Sequence, residues 1–122
     1  MINKVVLVGN VGKEPESREL ENANAITKFT LATTEKVNKE ERTEWHNVVC
    51  WGKLAEIVAQ YVHKGQQLYV EGKIRYRTYQ TKSGTQGNIT EIVADTIKML
   101  GGKPQKEREE RGSQLNNFDF PE

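Results

Sequence analysis

The sequence predicts an all-β domain: a five-stranded Greek-key barrel with one short helix between strands 3 and 4. Three observations predict it. Apolar residues recur with period two through five segments, one segment alone switches to helical spacing, and glycine- or asparagine-bearing turn signals separate them. With 122 residues and 35% hydrophobic side chains, the chain suits one domain that buries a usable core. A domain this small leaves little room for a deep catalytic cleft.

The first strand is the Val-rich run Ile2 to Val8, stopped by Gly9, Asn10 and Gly12. Pro15 keeps the next segment irregular. Ala25 to Thr34 reads as the second strand, because Phe29 and Leu31 alternate with Lys28, Thr30 and Ala32. Glu35 to Arg42 is charged and lacks a buried pattern, which predicts a solvated loop. The third strand, Thr43 to Trp51, places Trp45, Asn47, Val49 and Trp51 on one face and His46, Val48 and Cys50 on the other.

Lys53 to Lys64 changes period, with Leu54, Ile57, Val58 and Tyr61 on one helical face and Gly65 as its stop. The fourth strand, Gln67 to Tyr79, sends Leu68, Val70, Gly72 and Ile74 to one side and Lys73, Arg75, Arg77 and Tyr79 to the other. Gly72 marks a bulge or bend. Tyr76 falls on the packing side. Gln80 to Asn88 forms a hairpin tip, and the last strand runs from Ile89 to about Leu100. Residues 1–101 are thus a barrel domain, and 102–122, polar and charged after Gly101 and Gly102, a flexible tail. This order of elements is the one an oligonucleotide-binding barrel requires.

Charge and composition narrow the function. The net charge is +1, and residues 1–102 carry 14 basic against 12 acidic side chains. Bulk attraction for a polyanion is therefore weak, and a nucleic-acid partner needs a local basic stripe. No run of about 20 apolar residues would cross a membrane, and the N-terminus lacks a secretion signal, which predicts a cytoplasmic protein. Cys50 alone forms neither an internal disulfide nor a zinc site, and His46 has no second ligand at metal spacing, so no metal or cofactor is expected. A phosphate loop, a dinucleotide fingerprint and a nucleophile motif are all missing, and Glu14, Glu16, Glu19 and Glu21 read as solvated. The sequence predicts no enzyme.

A single-stranded nucleic acid offers phosphates and unstacked bases, so its binder interleaves cations with rings. Trp45 and Trp51 share a strand face, and both faces of that strand hold apolar groups. One face fills the core; the tryptophan face is left for a ligand or a second protein surface. Lys73, Arg75, Arg77 and Tyr79 supply the stripe on the next strand, where three like charges repel unless an anion joins them. The competing readings are core or interface burial for the tryptophans and an edge strand guarded by charge for the cations.

Asn3 to Gly12, Pro15-Glu16, Thr30 to Thr33, Thr43 to His46, Gly52 to Glu56, Val70 to Gly72 and Met99 to Gly102 resemble, in order and spacing, the bacterial single-stranded DNA-binding protein family. The resemblance implies an oligonucleotide-binding barrel, a homotetramer that coats single-stranded DNA in replication, recombination and repair, associated with the nucleoid. It implies base stacking for Trp45, Trp51 and Tyr79, phosphate contacts for Lys53, Lys64, Arg75 and Arg77, and subunit contacts for His46 and Tyr69. Val37 stands where many members carry another aromatic, and Asn47 where an arginine is common. Members recruit replication and repair proteins through an acidic tail with an Ile-Pro-Phe-like tip; here the chain reads Phe118-Asp119-Phe120-Pro121-Glu122.

Overall fold

A computed structural model describes residues 1–20 and 24–100. The expected flexible tail, 102–122, lies outside the described residues. Six strands and one helix follow in the order β1 (Val5–Val11), β2 (Glu16–Glu19), β3 (Ala25–Val37), β4 (Glu40–Trp51), α1 (Gly52–Tyr61), β5 (Gln67–Gln80) and β6 (Gln86–Met99). The neighbours run β1-β5-β6-β4-β3, and β1 returns to β3 through Asn10 and Val11, which closes a five-stranded barrel. The pair β4 and β6 is parallel and the others antiparallel, so the chain must cross over between them, as a Greek key demands.

The core is built from one parity of each strand, with β6 changing parity across its register shift. Phe29, Leu31, Val48, Cys50, Leu68, Val70, Ile92 and Ile97 meet inside, with Ala55, Val58 and Val62 of the helix segment packed on them. Thr27, fully buried, donates its hydroxyl to the Ala55 carbonyl at 2.7 Å and so ties α1 to β3. Burial also pushes the Cys50 thiol up to about 12, which leaves it a small apolar filler. The bulge expected at Gly72 is present as a register shift between Glu71 and Gly72, where a Cβ would run into the Val93 carbonyl.

Three expectations are corrected. Glu16 to Glu19 is a strand, not an irregular segment: it pairs along Ala25 to Lys28, and its four exposed side chains hide it from any search for apolar alternation. Glu35 to Arg42 is the end of a hairpin arm, not a loop. Asn38 and Lys39 take φ of 51° and 68°, the two-residue turn that suits strand twist, and Lys36 with Glu41 and Glu35 with Arg42 stand opposite each other as charge pairs. The helix starts at Gly52 and ends at Tyr61, three residues before the expected end; Gly65 has the left-handed φ of 89° but serves the connection, donating its N–H to Val11 O.

Two long hairpins, β3–β4 and β5–β6, extend beyond the barrel. Their strands β4 and β6 pair along a parallel seam at Asn47 to Val49 against Glu91 to Val93.

Candidate nucleic-acid interface

Register places β3, β4, β6 and β5 side by side, and their outward residues fall in rows. Thr30, Asn47, Glu91 and Arg75 make one row; Lys28, Val49, Val93 and Lys73 make the next. Toward the arms, Ala32 faces Trp45 and Ile89 faces Arg77, and near the end of β5–β6 Gly87 faces Tyr79. Trp51 closes the other end opposite Ile26. One sheet face thus collects Trp45, Trp51, Lys73, Arg75, Arg77 and Tyr79.

The rings on this face are open. Trp45 is 62% exposed, Trp51 42% and Tyr79 45%, while Val49 and Glu91 between them are buried, so the face has a closed floor and an aromatic rim. Burial of these rings in the core of the monomer is overturned. Glycines seat two of them: a Cβ on Gly12 would strike the Trp45 indole, and one on Gly87 would strike the Tyr79 ring. Each ring therefore lies against bare backbone on one side.

The cation stripe differs from expectation in one respect. The repulsion between Arg75 and Arg77 is answered from the next strand by Glu91, which is 2% exposed. Arg75 Nη2 donates to Glu91 Oε1 at 2.9 Å, and Arg77 gives Nε to Oε1 and Nη2 to Oε2, both at 3.0 Å. The two Arg77 hydrogen bonds, with the one from Arg75, hold the Glu91 carboxylate below its ordinary range despite its burial. Period-two reading of a single strand has no access to this partner, because it arrives from β6.

Beside the stripe lies a groove of about 160 Å³, whose lining includes Lys13, Glu14, Lys28, Thr30, Asn47 and Arg77. Lys28 stands in the sequence as the outward residue between Thr27 and Phe29, with no cation two residues away on either side to mark it as part of a stripe. Lys53 and Lys64 do not join the sheet face: Lys53 is exposed on the first turn of α1, and Lys64 follows the helix, its backbone N–H bound to Glu14 Oε1 at 2.7 Å. Tyr76 is not packed; at 72% exposure it stands on the opposite face of the arm, near Thr78 and Asn88. Val37 shares that opposite parity, so it is not a gap in the row containing Trp45.

His46 is half-buried and bonded through Nε2 to Thr33 Oγ1 at 2.8 Å. Tyr69 donates its hydroxyl to Glu71 Oε1 at 2.7 Å, beside the Lys4–Glu71 ion pair at 2.9 Å. Among the described residues no cluster of His, Cys, Asp or Glu could hold a metal ion, and no helix is long and apolar enough to cross a membrane.

A model described as the single-strand binding protein family matches residues 2–100. The chain belongs to that family. Relatives agree: a single-stranded DNA-binding protein of Bacteroides thetaiotaomicron is 48% identical over 109 residues, covering 84% of this chain and 68% of the relative. One from Xanthomonas campestris pv. campestris is 48% identical over 107 residues, covering 84% and 62%. This single-strand binding family member thus spans about two thirds of the length of these relatives. Among solved structures, a Plasmodium falciparum SSB in complex with ssDNA superposes with a TM-score of 0.76 at 29% identity, over 83% of this chain and 96% of that one. The family and these relatives are named for binding, not for catalysis, in line with the expectation of no enzyme.

Proposed function

We propose that this family member binds and protects single-stranded DNA without reading its sequence, in replication, recombination and repair. One observation carries the reading: three accessible rings, Trp45, Trp51 and Tyr79, rim a sheet face that also holds Lys73, Arg75 and Arg77. Bases stack on the rings whatever their identity, and phosphates meet the cations. Lys53 and Lys64 serve the flanks of the same path. The relatives' names and the ssDNA complex of the Plasmodium protein support it.

The test is a titration with oligo(dT) at two ionic strengths. Tryptophan emission is quenched on binding and affinity falls as salt rises. Unquenched emission would favour a subunit whose tryptophan face buries against protein. Competition between matched DNA and RNA strands separates a DNA from an RNA binder.

Assembly as a homotetramer belongs to the same reading. Val6 and Val8 are exposed on β1 beside Tyr69 of β5, an apolar strip suited to a second copy, and His46 is the other expected subunit contact. Sizing of the free protein decides it. Recruitment of replication and repair proteins by residues 102–122, and a cytoplasmic place at the nucleoid, complete the proposal.

The ring seats give a sharper prediction. Gly87→Ala pushes the Tyr79 ring off the sheet and lowers affinity for oligo(dT) by roughly the 1–3 kcal/mol of one stacked base, with little change in melting temperature. Unchanged affinity would show that Tyr79 needs no seat.

A further inference from the structure

We propose that Arg75, Glu91 and Arg77 form one anion site, which takes a single backbone phosphate across both guanidinium groups, rather than two independent phosphate contacts. The inference rests on the reading above that the partner is single-stranded DNA. It follows from how the three side chains share charge and hydrogen bonds.

Glu91 is buried and contributes one negative charge to two arginines whose side chains stay 40% and 39% exposed. The trio therefore presents a surplus of one positive charge to solvent. Arg75 Nη2 and Arg77 Nε both donate to the same oxygen, Glu91 Oε1, at 2.9 and 3.0 Å, so the two guanidinium groups converge on one carboxylate. Arg77 Nε spends its single proton on Glu91, so a phosphate placed across the pair accepts charge-assisted hydrogen bonds of about 2.8 Å from the remaining Nη protons. Each guanidinium keeps its Nη1 protons unspent on Glu91. Two phosphates here would meet a surplus of only one charge and repel each other across the pair. Lys73, in the adjacent row, makes no ion pair with the described residues and counts separately.

Salt dependence counts these contacts. Each phosphate neutralised on a single strand adds about 0.7 to the magnitude of the slope of log affinity against log salt. Oligo(dT) binding is measured across a salt series for the parent chain, Arg75→Gln, Arg77→Gln, the double variant, Lys73→Gln and Glu91→Gln.

Under the proposal either arginine change alone lowers the slope by about 0.7, the second adds nothing further, and Lys73→Gln takes its own ~0.7 independently. Glu91→Gln frees the second guanidinium and steepens the slope by about 0.7. Additive loss of ~1.4 in the double arginine variant overturns the single site, as does an unchanged slope in folded Glu91→Gln. Should Glu91→Gln alone not fold, the arginine series decides, with the double change also made together with Glu91→Gln so that no carboxylate is left buried without a cation. A parent chain that ignores oligo(dT) overturns the DNA reading itself, an outcome distinct from additive slopes in a chain that binds.

Discussion

Replacing Trp51 and Tyr79 together with alanine lowers affinity for oligo(dT) by roughly 30-fold or more, because each stacked base contributes about 1–3 kcal/mol. Trp51 sits where β4 turns into α1, and Tyr79 sits near the far end of the β5–β6 arm, so the two changes remove both extremes of the aromatic rim. Neither ring belongs to the core, and the loss should come without unfolding. Trp45 remains as the reporter, with its quenching shifted to higher DNA concentration. An affinity within about threefold of the parent would mean that bases do not stack at these two positions.

Leu31→Ala has the largest expected effect on stability, about 2–5 kcal/mol. Leu31 is fully buried and stands at the closure of the barrel, where it faces Val11 of β1 and His46 of β4. Its side chain also lies against Gly9, whose own Cβ would collide with the Ala32 carbonyl, so neighbouring backbone is already in close contact and collapses poorly into a void. Thermal melting should fall by on the order of 15 °C for this size of domain. Affinity of the folded protein for oligo(dT) should be unaltered, since Leu31 faces away from the rim. A melting temperature within a few degrees of the parent would show that the closure repacks around alanine.

Much of this was legible in the sequence because alternation writes burial directly into residue order. Phe29 and Leu31 against Lys28 and Thr30, or Trp45 and Trp51 against Val48 and Cys50, separate the inner and outer faces without coordinates. Where both faces are polar, that signal vanishes: Glu16 to Glu19 and the outer half of the β3–β4 arm pair through backbone, opposed charges and hydroxyl contacts such as Thr34 with Thr43. Glu91 was hidden for another reason. Its role depends on β6 lying beside β5 in a particular register, and nothing within either strand announces that a carboxylate will arrive between Arg75 and Arg77. Parity alone sends Tyr76 to the packing side; the parity is right, but the arm has outrun the core that would cover it.

The parallel seam between β4 and β6 spans three residue pairs, so the two arms share only a short joint. Beyond the seam each hairpin holds itself together by its own ladder, and the Asn47 side-chain amide reaches across to the Thr90 carbonyl. The space between the arms is therefore bounded by two separately braced walls rather than by one continuous sheet.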